Sequence, residues 1–424
     1  MSARFHAPKG VSEYFPPDSK YFDHVLEKLA RPALAAGYGL MELPIFEETE
    51  LFTRGVGEST DVVTKEMYTF EDRGGRSLTL RPEGTAGVMR SVIEHGLDKG
   101  QLPVKVFYRG PFFRAERPQA GRYRQFYQFG IEAIGVTDPY LDVEVIAIAD
   151  QGFRSLGLKN FSLEITSLGD GPSRLAHREK LVEFISTLNI DEETAERAKK
   201  NPLRLFDDKR NEIKEQMLKA PLLVDFLNED SRNYFGQVQK ILSDGGIEFT
   251  VNPRMVRGLD YYTGTTFEFV HRDLGAQSGI GGGGRYDGLM ETLGGSPLSG
   301  IGFGLGIDRV LLAMQAEEVL PKDRGYLDLF IIGLGDAGRA RGFQLLDEVR
   351  RAGLVADFAF GERALKGAMK GADRLGAKYV LVMGEDEVNS GAGQIKELSS
   401  GKVHSVTLSS LVTTLVSLAS VEAK

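Results

Sequence analysis

Residues 300–312, GIGFGLGIDRVLL, place glycines at 302, 304 and 306 on alternate positions ahead of Asp308, Arg309 and an apolar run. Successive side chains of a strand point to opposite faces, so this spacing describes a strand with one face stripped of side chains. Such a face suits a strand that something approaches closely, either a flat ligand or another stretch of backbone. Arg309, at the corner where strand gives way to helix, is placed to reach a phosphate. The GxGxxG spacing is absent, so the strand itself, and not a dinucleotide-binding loop, is the platform.

A second stretch, FRAERPQAGRYRQFYQFGIE at 113–132, gathers Arg114, Arg117, Arg122 and Arg124 with only Glu116 before Glu132. The chain as a whole is acidic, with 60 Asp and Glu against 52 Lys and Arg and a formal charge of -8. A salt-bridged surface would interleave carboxylates, so these arginines await a partner from outside the chain. Along a strand Phe126, Gln128, Gly130 and Glu132 share a face, as do Arg114 and Glu116 on their own segment. PQAG between the two segments is a turn that lets them run antiparallel. Arginine matches phosphate oxygens bidentately and a phenylalanine can lie against a purine, which describes a nucleotide platform; the alternative is an exposed basic hairpin.

At 424 residues and 42% hydrophobic, the chain can bury a large core and divide into two or three domains. Its acidic balance argues against wholesale nonspecific binding to nucleic acid, so any such contact is local. Cysteine is absent, which excludes disulfides, a thiolate nucleophile and cysteine-held zinc. The six histidines, His6, His24, His95, His177, His271 and His404, show no pair at metal-ligand spacing, and no transition-metal site is expected. No segment reaches the roughly 18 uninterrupted apolar residues of a membrane span, and MSARFHAPKG has no apolar signal core, so a cytoplasmic protein is expected.

From the start to about Gly169, helical and strand patterns alternate: YFDHVLEKLARPALAAG has helical spacing, whereas VKVFYRG, QFYQFGIEAIG and FSLEITSL describe strands. Polar helices then take over until about Gly246, and FTVNPRMVRGLDYYTGTTFEFV returns to β-rich sequence. This predicts a helical insertion at about 170–246 within one mixed α/β domain of residues 1–322. After PKDRG, the stretches LDLFIIGLG, VADFAF and YVLVMG alternate with helices over 337–351 and 362–375, which predicts a small α/β domain at 323–424 with a mixed, largely parallel sheet. VTLSSLVTTLVSLAS closes it as a strand end and an amphipathic helix packed on that sheet.

Taken together these stretches resemble the class II aminoacyl-tRNA synthetases. GYGLMELPIF, with Gly37 and Pro44, sits in the helix-then-strand setting of that class's first motif, which forms its dimer interface. FRAE followed by RYRQF is similar to the second motif and GFGLGIDR to the third. VRGLDYYTGTTFEF at 256–269, GGGGRYDGL at 281–289 and TLRPEGT at 79–85 narrow the likeness to the histidyl-tRNA synthetase family, over essentially the whole chain.

That resemblance implies an α/β fold class with an α+β catalytic core on an antiparallel sheet, followed by an anticodon-binding domain. It implies ATP-dependent activation of L-histidine to histidyl-adenylate and transfer to the 3' end of tRNA(His), in a homodimer. Recognising histidine takes an acceptor for a ring N–H, a second polar group and a carboxylate for the ammonium. By position Glu132 and Tyr262 match the family's imidazole readers, with Tyr261 beside them, and Glu83, Thr85 and Gln128 match its binders of the amino-acid backbone. A site built to hydrogen-bond its substrate rejects analogues by roughly 10⁴–10⁵, so no editing domain is expected. Arg114 and Arg257 are the implied catalytic residues, meeting charge on the α-phosphate. Arg122 and Arg309 would hold the outer phosphates, Glu116 would accept from the adenine amino group, Phe126 would stack on the ring, and Mg²⁺ would accompany the β and γ phosphates.

On the tRNA side, Arg117 and Gln119 would face the acceptor end. Arg363, Lys366, Lys370 and Arg374 fall on one helix face, opposite Leu365, Met369, Ala372 and Leu375. That stripe is either a track for anticodon-stem phosphates or a solvated helix face. Two rival readings stand beside the enzyme. One is the noncatalytic, histidine-sensing regulatory subunit of ATP phosphoribosyltransferase, which typically lacks the C-terminal domain and the arginine of RGLDYY. The other is a nucleic-acid-binding module without catalysis.

Overall fold

Alternation between large apolar residues and glycine or polar residues organises eight strands into one sheet. The computed structural model describes residues 5–16, 18–208, 210–321, 327–361 and 364–422, in two units, Met1–Leu320 and Pro321–Lys424. In the first unit the sheet runs, edge to edge, through Gly39–Leu40, Val104–Phe113, Gln125–Ile134, Gly300–Gly306, Gly279–Arg285, Thr263–His271, Phe161–Ser167 and Thr250–Val251. The six inner strands pair antiparallel and the two short edge strands parallel.

One face of this sheet is apolar. Phe107, Phe129, Ile131, Phe303, Leu305 and Phe267 are buried there with Val25 and Leu29 of the helix Ser19–Ala35 and Val145 and Ile146 of the helix Pro139–Ser155. Each such side chain contributes about 1.5–3 kcal/mol by leaving water, so the face that carries them is strongly specified. The other face carries Tyr108, Phe126, Gln128, Glu132 and the glycines, because the strand period is two. Register along this sheet therefore decides which residues meet in the site.

Polar contacts pin the sheet to its helices. Asp308, at the start of the helix Ile307–Ala316, accepts from the Tyr127 backbone N–H at 2.9 Å and from the Tyr14 hydroxyl. Arg285, at the end of the GGGGR strand, is buried against Asp142, with Nη2 2.8 Å from Oδ1, and Tyr234 donates to the same oxygen at 3.1 Å.

Between residues 170 and 246 the described residues are mostly helical, and their helices divide. Leu181, Ile185, Ala198, Leu205, Ile213 and Met217 form a cluster of their own. The helix Glu229–Asp244 instead turns Phe235, Val238 and Leu242, spaced along one face, into the main core. A small antiparallel sheet of Phe46–Glu48, Ser77–Leu80 and Tyr68–Glu71 lies apart from the large one.

In the second unit Leu327–Gly333 lies between Ala356–Phe358 and Ala377–Met383, all parallel, and Ala392–Glu397 with Val403–Thr407 adds an antiparallel half. Leu345, Leu346 and Val349 of the helix Gly335–Arg351 cover one side together with Leu411 and Leu415 of the closing helix. On the helix Leu365–Arg374 the packed residues are Ala368 and Ala372 with a partly buried Met369, while Leu365 and the following Leu375 are exposed. The expected apolar face of that helix is thus narrower than its spacing suggests, because small residues let the helix sit close to the sheet. Among the described residues no helix is long and apolar enough to cross a membrane.

Candidate functional site

The register sets glycine against glycine on the polar face. Gly302 pairs with Glu132, Gly304 with Gly130 and Gly306 with Gln128, and on the other side Gly282 pairs with Gly304 and Gly284 with Gly302. The space beside these glycines differs from position to position. A methyl at Gly302 would overlap the Glu132 carboxylate and the Ile131 carbonyl, and one at Gly130 would overlap the Tyr108 ring, so these glycines exist for close packing within the chain. A methyl at Gly304 would meet nothing nearer than the Gln128 amide at 3.4 Å, an ordinary contact, and Gly304 borders a cleft.

At one end of this floor Glu132 is fully buried. Its Oε1 accepts from Thr85 Oγ1 at 2.7 Å and its Oε2 from Tyr286 Oη at 2.6 Å, with Tyr108 Oη at 3.5 Å from Oε1. Burial pushes its carboxyl up to about 8 against the pull of these hydrogen bonds. Glu83, also buried, accepts from the backbone N–H groups of Thr85 and Ala86 at 2.8 and 3.0 Å, the opening of the helix Thr85–Glu94. Tyr261 donates to the same carboxylate at 3.3 Å, and burial raises its pKa too. The Tyr261 ring lies 4.8 Å from that of Tyr262 and 6.0 Å from that of Tyr286. Two buried carboxyl groups set among tyrosine hydroxyls can bind an ammonium and a second polar group together.

Arginines gather at the other end, around a cleft of about 170 Å³ lined by Arg114, Arg122, Phe126, Gln128, Glu268 and Arg309 among others. Arg114 donates from Nε to the Pro82 carbonyl at 3.0 Å, and its guanidinium stands 5.4 Å from the centre of the Phe126 ring. Arg122 pairs with Glu116 and Arg309 donates to the carbonyls of Gly121 at 2.8 Å and Gly279 at 2.7 Å. Burial lowers the pKa of both Arg114 and Arg309. Arg257 lies over the floor, where a methyl at Gly282 would come within 3.0 Å of its Nη1. It is 3.4 Å from Glu268 and 5.3 Å from the centre of the Tyr262 ring. Tyr262 thus joins the carboxylate end to the arginine end. Backbone carbonyls orient Arg114 and Arg309, while Arg122 and Arg257 lean on the carboxylates of Glu116 and Glu268, and together the four cations suit a polyanion.

The turn expected at PQAG is present: Gln119 and Arg122 exchange two backbone hydrogen bonds of 3.0 and 2.9 Å, with Gly121 between them at φ +70°. Arg117 and Gln119 are exposed on that hairpin, outside the cleft. Lys366 and Lys370 are exposed on their helix in the second unit, and Arg363 lies outside the described residues. Three side chains in the site escaped the sequence reading: Tyr108, Tyr286 and Glu268. Tyr286 and Glu268 belong to the quoted segments GGGGRYDGL and TGTTFEF, and alternation within those strands was the available signal. Among the described residues no cluster of three or more His, Cys, Asp or Glu is arranged to hold a metal.

Comparison with known proteins fits this geometry. Residues 10–310 match the family model described as Histidyl-tRNA synthetase, and residues 328–418 match that of the Anticodon binding domain. The chain is 60% identical over 408 residues to the histidine–tRNA ligase of Saccharopolyspora erythraea, covering 96% of this chain and 97% of that one. Against the histidine–tRNA ligase of Nocardia farcinica it is 61% identical over 411 residues, 97% of each. The solved apo histidyl-tRNA synthetase of S. aureus superposes with a TM-score of 0.82 at 38% identity, covering 97% of this chain and 100% of that chain.

Proposed function

The chain belongs to the histidyl-tRNA synthetase family, and from that premise we propose how its residues divide the family's reaction between them. The activity is ATP-dependent attachment of histidine to tRNA(His). The observation that carries the division of labour is one polar sheet face with buried carboxyl groups at one end and arginines at the other, Arg114 and Arg309 among them held by backbone carbonyls.

Histidine occupies the carboxylate end. Glu132 and Tyr262 read the imidazole, Tyr261 and Glu83 face the ammonium with Thr85, and Gln128 lies beside the carboxylate to be activated. ATP lies across the bare floor with its adenine on Phe126 and its amino group toward Glu116. A histidine carboxylate oxygen bonds to the α-phosphorus, the bond to the bridging oxygen breaks, and pyrophosphate leaves. Arg114 and Arg257 meet the charge that develops at the α-phosphate, and Arg122 and Arg309 hold the outer phosphates; preorganised cations in a dry site act where charge builds up. The 3'-hydroxyl of the terminal adenosine then attacks the activated carbonyl and AMP departs. No side chain becomes a covalent intermediate.

The donor set suits Mg²⁺ in the manner of phosphate-bound ions, with few protein ligands: Glu268 borders the cleft, and Glu116 is committed to Arg122. Bound there, Mg²⁺ would neutralise charge on the β and γ phosphates. Residues 1–322, with an insertion at about 170–246, form the catalytic domain, and 323–424 read the anticodon arm through Lys366, Lys370 and Arg363. Arg117 and Gln119 face the acceptor end. Exposed Leu40, Ile45, Phe46 and Phe70 support a homodimer through the first-motif region. The protein works in the cytoplasm.

Exchange of labelled pyrophosphate into ATP, tested across the standard amino acids without tRNA, examines this directly. Exchange with histidine alone is expected. Histidine binding without exchange would overturn the reading in favour of a regulatory, noncatalytic relative.

A further inference from the structure

The helical insertion begins where the histidine loop ends. Leu168 donates to the Gly264 carbonyl at 2.7 Å and Gly264 donates back to the Gly169 carbonyl at 3.0 Å, so the root of the insertion is paired with the chain just past Tyr262. Asp170 caps the first insertion helix, Gly171–Ile185, by accepting from Ser173 N–H at 2.9 Å. One residue on, Arg174 turns back and donates from Nη1 to the carbonyl oxygen of Tyr262 at 2.8 Å. The guanidinium is partly buried among Asp170, Asp260 and Asp287, and burial lowers its pKa against their pull. Asp260, in the same loop, accepts from Ser59 Oγ at 2.8 Å and donates its N–H to the Val56 carbonyl at 3.3 Å. The loop 256–262 is therefore held on one side by the catalytic core and on the other by the insertion.

We propose that Arg174 is a positioning residue for histidine recognition, through which the insertion sets the Tyr262 backbone and hence the end of the groove that reads the imidazole. This rests on the assignment of Tyr262 as an imidazole reader. The second consequence concerns the insertion itself: its state is felt at the amino-acid end of the groove before tRNA is bound. Loss of the contact frees the carbonyl and lets the loop, with both tyrosines, sample other positions. At the nucleotide end, Arg114, Arg122 and Arg309 have no contact with Arg174 among the described hydrogen bonds, and Arg257, at the far end of the loop from Tyr262, is tied to Glu268 at 3.4 Å.

The test is tRNA-free pyrophosphate exchange by the full chain carrying Arg174→Ala, Arg174→Lys, Arg178→Ala or Tyr262→Phe, with melting temperatures measured alongside. Loss of one hydrogen bond from a charged donor predicts that Arg174→Ala raises KM for histidine roughly ten-fold, with KM for ATP within about two-fold of the parent. Arg174→Lys, which keeps a charged donor on a shorter stem, recovers part of the loss, and Arg178→Ala on the same helix leaves both constants unchanged. An unchanged histidine KM in Arg174→Ala, with Tyr262→Phe raising it, would overturn the proposal alone. An unchanged histidine KM in Tyr262→Phe would instead remove the reading beneath it. If Arg174→Ala melts too low to assay, equal impairment of the histidine and ATP constants by Arg174→Lys would overturn the proposal as well.

Discussion

Replacing Glu132 with glutamine separates what the buried carboxylate costs the fold from what it gives the site. Burial raises its pKa from the ordinary 4.5 to about 8 in the folded, ligand-free chain. Below pH 4.5 folded and unfolded chains both hold the proton. Between 4.5 and about 8 the unfolded chain has released it and the folded chain has not, so the folded state binds more protons and stability falls as pH rises. At about 1.4 kcal/mol per pH unit over that span, the full penalty above pH 8 is about 5 kcal/mol, of which about 4 kcal/mol accrues between pH 5 and pH 8.5. Glutamine keeps the size and one acceptor for Thr85 but does not titrate. Melting Glu132→Gln beside the parent from pH 5 to 8.5 should therefore show the variant gaining on the parent by roughly 4–6 °C for a chain of this size. Histidine-dependent exchange should meanwhile fall by at least about ten-fold, because the carboxyl group that reads the imidazole is gone. A melting-temperature gap that stays constant with pH would refute the reasoning, since it would mean that Glu132 ionises in the folded chain as it does in the unfolded one.

Other perturbations follow from distances in the groove. Gly304→Ala has room for its methyl beside Gln128, so it should melt like the parent yet raise KM for ATP roughly ten-fold or more in pyrophosphate exchange, whereas Gly302→Ala, which meets Glu132 and the Ile131 carbonyl, should lose stability and histidine binding together. Arg257→Ala should lower the exchange rate by roughly 10²–10³ while calorimetric titration still detects histidine, because the cation serves the phosphate. Arg285→Met leaves Asp142 buried without its cation and should cost about 3–5 kcal/mol in urea unfolding; a loss under about 1 kcal/mol would count against a structural role for the pair.

Much of the groove was legible because strand alternation and hydrogen-bond register share one period. Phe126, Gln128, Gly130 and Glu132 could be placed on a common face from spacing alone, and the alternate glycines at 302, 304 and 306 marked the strand beside them. What spacing does not reveal is which distant side chain completes a buried group. Tyr108 and Tyr286 reach Glu132 only through the pairing of four strands, and Asp142 meets Arg285 across 143 residues of chain. Packing partners are equally nonlocal: the polar composition of Glu229–Asp244 matches the insertion, yet its Phe235, Val238 and Leu242 join the main core. In the second unit the antiparallel hairpin of Ala392–Glu397 and Val403–Thr407 was hidden by short strands of mixed polarity, and the wide apolar face expected for Leu365–Arg374 reduces to two alanines and a partly buried methionine.

The most direct test of the divided groove is a crystal structure with histidine and a nonhydrolysable ATP analogue bound together. The imidazole should lie within hydrogen-bond distance of Glu132 and Tyr262, with the phosphates against Arg114, Arg257 and Arg309 and the purine on Phe126. A purine at the Glu132 end, or a histidine ring that leaves both Glu132 and Tyr262 untouched, would contradict the assignment.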